Sequence, residues 1–371
     1  MLTNKLRNRL GRFFYKIRDV KINKRIVVFE SDDWGSIRMS SIESWKTLLQ
    51  EGYPVDKRPY EHYDILESLD DITSLFEVLV NYKDIYGNHP CITANMLLTN
   101  PDFDRIRQNG YKDYFYETID ATYSQQENGE MVIPTMKQGI ERGIFKPQFH
   151  GREHFNVEEW MEALQRKDET ILKAFGHRMC GLTPKSNMQL GNQYMVSLRS
   201  KTPERQQSVL NRLEEGLSLF EQLWGYKSKS FVAPCYTWNK EIEHILALNG
   251  VELIQTSRQA TLSHTGKVCF HFLGEKNNLG QVYSIRNCSF EPSIGLRTNE
   301  VSACMNEVRQ AFKENRPAII SSHRINYVSG LDLSNRENNL RALDLLLKQI
   351  LLEFPDVAFL SSDQMVDILS N

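Results

Sequence analysis

Three short stretches hold the residues best suited to chemistry: ESDDWGS with Asp32 and Asp33, HGREH with His150 and His154, and IISSH with His323. Two imidazoles four residues apart can converge on one metal ion. Nine histidines in 371 residues give about 0.2 such pairs by chance at one chosen spacing, so the pair alone does not make a site. The adjacent aspartates add to it. A carboxylate after a strand ordinarily caps a turn, but two side by side repel unless a cation or a shared proton relieves them. One carboxylate and two imidazoles would leave a divalent ion with open positions, which suits a catalytic metal that acidifies water and polarises a carbonyl. The other carboxylate is then free to act as general base. His323 reads equally as a core histidine or as a general acid.

HGREH also fits the H-x-x-E-H string of zinc peptidases, in which Glu153 would be the base on a helix. Pro147 and Gly151 speak for a strand and a turn there instead, and the helix signal, Asn156 followed by Glu159, comes only afterwards.

A scaffold must bring these stretches together, and the chain alternates strand and helix patterns nearly throughout. Strands are predicted at 25–31, 91–98, 145–149, 230–235, 251–256, 281–286, 317–322 and 357–361. Helices are predicted from Asn156 to about 175, from Thr202 to about 224, and at 239–249, 298–315, 336–353 and 363–370. Seven or eight strands separated by helices predict an α/β fold, a distorted (β/α) barrel with a mainly parallel sheet. In such a barrel the active site forms at the carboxyl ends of the strands. Asp32 and Asp33 follow the first strand, His150 and His154 the third, and Tyr236 and Trp238 the fourth. Arg286, Asn287 and Glu291 follow the sixth, and His323 and Arg324 the seventh. The stretch 37–88 is long for one connection and predicts an insertion with short helices over one end of the barrel.

Residues 1–24 form a separate basic amphipathic helix in this reading, with the barrel over 25–371. The first 25 residues carry nine Lys or Arg against one Asp, a pattern that fits either a cap on the barrel or peripheral contact with an anionic membrane face. A net charge of −2 and 40% hydrophobic residues describe an ordinary globular chain and point away from nucleic acid. With no run of 18 apolar residues and no apolar leader, the expected location is the cytoplasm. The six cysteines include no C-x-x-C pair, so neither a disulfide framework nor a thiolate zinc site is expected.

The order of these motifs resembles that of the NodB-like polysaccharide deacetylases, carbohydrate esterase family 4. ESDDWGS is similar to the family's T-F-D-D-G-P, with Trp34 inserted before the glycine. HGREH is similar to H-S/T-x-x-H, with Gly151 at the hydroxyl position. FVAPCYTWN is similar to F-R-P-P-Y-G, with Pro234 kept and Val232 at the arginine, and IISSH matches L-x-H. The resemblance implies a metal-dependent hydrolase that removes acetyl from an N-acetylated carbohydrate. It implies Asp32 as general base, Asp33, His150 and His154 as ligands of a divalent ion, and His323 as the acid on the opposite side of the scissile bond. Zinc is the first expectation for the ion, with cobalt, nickel or manganese as substitutes. A backbone N–H near Cys235 or Tyr236 would help hold the oxyanion. Arg286 or Arg324 would replace the missing arginine, and both join the residues expected around the substrate. Trp34, Tyr236 and Trp238 would offer faces to a sugar ring. An alternative without catalysis is a glycan-binding barrel that lost activity with the motif arginine.

Overall fold

Runs such as RIVVFE and PAIISS pack best where both faces of a strand are covered, which is the situation inside a parallel barrel. The computed structural model describes residues 17–186 and 194–370. Nine strands form its main sheet: β1 (Ile26–Trp34), β2 (Ile92–Leu97), β3 (Phe145–Gly151), β4 (Ser230–Val232), β5 (Leu253–Thr256), β6 (Val282–Ile285), β7 (Cys288–Ser289), β8 (Ala318–His323) and β9 (Ala358–Leu360). All eight predicted runs are among them. The order is β6-β5-β4-β3-β2-β1-β8-β7, with β9 also paired to β1, and every pairing is parallel.

β6 and β7 end this order on opposite sides, yet only Arg286 and Asn287 separate them in the chain. One segment therefore pairs with β5 through its first half and with β8 through its second. The sheet closes on itself there, giving the distorted barrel that the alternation predicts.

The helix Pro203–Trp224 begins where the Thr202 side chain accepts from Arg205 N and stops at Gly225, φ 79°. The predicted helix after Asn156 is two helices, Val157–Gln165 and Glu169–Gly176. They break at Lys167, φ 60°, and Asp168 caps the second. The insertion 37–88 holds the helices Ile42–Gln50, Pro59–His62 and Leu69–Leu79. Only part of it covers the mouth. Leu69–Leu79 buries Ile72, Leu75, Phe76 and Leu79 in the main core, with Phe76 5.5 Å from Phe145 of β3.

Most of the predicted helix over 1–24 lies outside the described residues. Asp19 is buried and paired with Arg258 and Arg316. Among the described residues no helix is long and apolar enough to cross a membrane.

Candidate metal and catalytic site

β1 delivers both aspartates, and its last turn sets them apart. Asp33 has φ 75°, a conformation that Asp tolerates better than most residues. Two residues later Gly35 has φ 86°, and a Cβ there would come within 2.6 Å of Leu97 O, so only glycine fits. The backbone reversal points the two adjacent carboxylates at different partners.

β3 ends in His150, and Gly151 with φ 150° turns the chain so that His154 returns to the same spot. A hydroxyl residue at 151 would be strained in that conformation. His150 and His154 sit in a strand end and a loop, and the helix starts only at Val157. Asp33 Oδ1 lies 3.5 Å from His150 Nε2 and 3.2 Å from His154 Nε2. One donor atom from each of Asp33, His150 and His154 falls within 4.8 Å of the other two, and all three residues are buried.

The donor set fits a divalent cation. Asp33 Oδ1 and His150 Nε2 are buried without a hydrogen-bond partner, a costly state unless a ligand completes them. His150 Nδ1 donates to Val232 O at 2.8 Å, which fixes the tautomer that leaves Nε2 with its lone pair. Burial pushes the His154 imidazole down to about 3, so it too is neutral and able to ligate. Burial opposes a charge on Asp33, but Arg38, 3.1 Å from Oδ2, followed by His154, holds that carboxyl well below its ordinary range.

Asp32 takes a different environment from strands across the barrel. Arg286 donates to its Oδ2 at 2.6 Å and Oδ1 at 2.7 Å, and Asn95 of β2 donates to Oδ1 at 2.7 Å. Burial would raise its pKa, but the guanidinium outweighs that and lowers it to about 2. The same Arg286 binds buried Glu30 at 2.7 Å. Arg286, just after β6, thus holds Asp32 in a chain whose motif arginine position reads Val232.

His323 is the register partner of Asp32 across β8 and β1, with Nε2 3.9 Å from Asp32 Oδ2. Adjacent parallel strands thus put the two groups side by side at the barrel mouth. Glu291, after β7, accepts from His323 Nδ1 at 2.6 Å. Burial works against the imidazolium, and Glu291 overcomes it, raising the pKa to about 9.

The other sequence-predicted residues divide. Tyr236 reaches the cavity, and its hydroxyl accepts from Arg286 at 3.1 Å. Trp34 is 1% exposed, stacked on Tyr327 at 6.2 Å and edge-on to Phe145 at 5.3 Å, so it is core and offers no face to a sugar. Trp238 is likewise buried, bonded to Glu243 and stacked on His271. Arg286 and Arg324 do not line the cavity either. Arg286 is occupied by Asp32 and Glu30, while Arg324, fully buried, binds Asp64, Glu67 and Ser36 O. Of the two proposed oxyanion donors, Tyr236 N–H is already bonded to Ala233 O. Glu153, the peptidase base, is tied to Arg152 at 2.7 Å. Glu30 and Asn95 escaped the sequence reading, although a Glu and an Asn inside apolar strand runs were a usable signal of a buried polar network.

No protein-family model matches the chain, and no curated protein matches it by sequence. Solved structures similar to it include a Mycobacterium smegmatis protein provisionally named a polysaccharide deacetylase, 13% identical over 95% of this chain and 91% of that one, TM-score 0.40. A polysaccharide deacetylase from Bacillus cereus is 12% identical over 78% and 69%, TM-score 0.33. The allantoinase Puue is 9% identical over 93% and 90%, TM-score 0.46. Polysaccharide deacetylases, which the motifs resemble, are thus among the structures this chain is similar to. With every TM-score below 0.5, what the chain does rests on its own site.

Proposed function

We propose that this protein is a metal-dependent deacetylase that removes the acetyl group from an N-acetylated sugar. The observation that carries this reading is the buried Asp33–His150–His154 donor set, with Asp33 Oδ1 and His150 Nε2 unpartnered, beside an ionised Asp32 and a protonated His323. A divalent ion held by those three residues would polarise the amide carbonyl and acidify a water next to it. Asp32 stays ionised at neutral pH and, oriented by Arg286, accepts the proton of the attacking water. His323, kept protonated by Glu291, donates to the departing amine nitrogen. The 3.9 Å between them then lets the proton on Asp32 restore His323. With Tyr236 N–H engaged, the Cys235 N–H at the cavity wall is the remaining backbone donor for the oxyanion.

Zinc- or cobalt-loaded protein should release acetate from members of a panel of N-acetylated sugars, glycans and sugar nucleotides. Asp32→Asn should lose about 10²- to 10⁴-fold in rate while keeping its metal, whereas Asp33→Ala and His150→Ala should lose the metal itself. Unchanged metal content in those two variants would sink the ligand assignment, and absence of acetate from every substrate would sink the deacetylase.

A further inference from the structure

The cavity in front of the donor set measures about 480 Å³, in the range that takes whole small-molecule ligands. Several of its polar side chains turn their hydrogen bonds into the wall. Asn100 is committed to Ile37 N, Gly35 O and Thr122, Thr99 donates to Arg152 O, and Ser36 donates to Asp33 O. Asp32 is held by Arg286 and Asn95, and Glu61 accepts from Thr183 N. The apolar lining comes from Ile37, Phe155, Met179, Met195 and Ile294.

This apolar wall begins at the donor set. Phe155 follows His154 directly and shares one packed cluster with Cys180 and Met195. Cys235 Sγ, in turn, donates to Met195 O at 3.5 Å. Hydroxyls of a sugar ring would find few partners on such a surface and lose hydration. Methylene groups would gain by leaving water, and the two methionines can adapt their shape around a chain.

Resting on the amide-hydrolase reading above, we propose that this wall receives an aliphatic N-acyl chain longer than acetyl. Acetyl is then the shortest acyl group the site accepts, and N-acylated sugars with several acyl carbons are its better substrates.

The test compares N-acetyl-, N-butyryl- and N-hexanoylglucosamine on the zinc-loaded full chain, by amine release and by calorimetric binding to the His323→Ala variant, where turnover does not intervene. Both kcat/KM and affinity should rise about fourfold per added methylene. Met195→Trp should cut the hexanoyl-to-acetyl ratio at least tenfold, a ratio that cancels any general loss of folded protein. Equal or weaker response to hexanoyl, with acetate still released, overturns the acyl wall and leaves the deacetylase standing. Length-dependent binding without hydrolysis supports the wall and overturns the hydrolase. Neither binding gain nor hydrolysis overturns both. A gain seen only with the hexyl glycoside of N-acetylglucosamine assigns the wall to the aglycone and overturns the proposal.

Discussion

His323 keeps its proton because Glu291, just after the neighbouring strand β7, accepts its Nδ1–H, and the rate should show this. The acid must be protonated, so activity is lost as pH rises through its pKa, about 9. Burial alone would have lowered that value, so Glu291→Gln should move the basic limb of kcat/KM downward, toward or below the ordinary 6.5. A pH profile of acetate release checks it, and an unmoved limb would mean that another group titrates there. The same pair stabilises the fold fully below about 6.5, and this contribution fades as pH rises through about 9. At this scale the clustering of Asp33, His150 and His154 was legible, because spacing and residue type are properties of the chain. The partners of Asp32 and His323 were not. Arg286 and Glu291 acquire their roles only when residues far apart in the chain are brought together, Arg286 across the barrel to Asp32 and Glu291 beside His323 through the β7–β8 pairing. Trp34 and Trp238 misled for a related reason: an aromatic ring at a strand end serves core or substrate, and burial decides between them.

Strands were more legible than helices, and two of the helices show why. Leu69–Leu79 opens on a capping box, Ser68 with Asp71, but within an insertion for which short helices were expected without bounds. Val132–Glu141 has no side-chain cap and contains Pro134 and Gly139, so neither its start nor its interior signals a helix. Gly139 exists there for packing. A Cβ at that position would come within 2.4 Å of the Phe76 ring and 2.9 Å of Phe145 Cβ, which is where Leu69–Leu79, Val132–Glu141 and β3 meet. Two effects oppose each other in Gly139→Ala. Helix propensity favours alanine by about 1 kcal/mol, whereas overpacking a close contact costs about 1–3 kcal/mol. Because one contact is the Cβ carbon of Phe145, which cannot swing aside as the Phe76 ring tip can, the clash should win. Urea denaturation should show a net loss of up to about 2 kcal/mol, and a gain in midpoint would show that the helix can shift away from β3.

For the molecule as a whole, the donor set ties three parts of the chain into one closed ring, and a cation there should stabilise the entire fold. β1 supplies Asp33, β3 and its following turn supply the histidines, and Val232 O of β4 orients His150. Without a cation the fold must bury an ionised carboxylate oxygen and an imidazole nitrogen that lack hydrogen-bond partners, a penalty of about 1–3 kcal/mol for each such group. Binding relieves that penalty only in the native state, because Asp33 lies far from the histidine pair in the unfolded chain. Stabilisation therefore follows mass action, about 2.7 kcal/mol at a free metal concentration one hundred times Kd. Thermal unfolding should accordingly shift upward by several degrees when zinc is added to chelator-treated protein, and return when the metal is removed. Asp33→Ala should abolish the shift. It should also spare the metal-free fold part of the penalty, so its midpoint should fall less than that of Arg286→Met, which leaves Glu30 and Asp32 buried without their cation. A zinc-dependent shift that survives Asp33→Ala would place the stabilising ion elsewhere and separate the ring's integrity from the donor set.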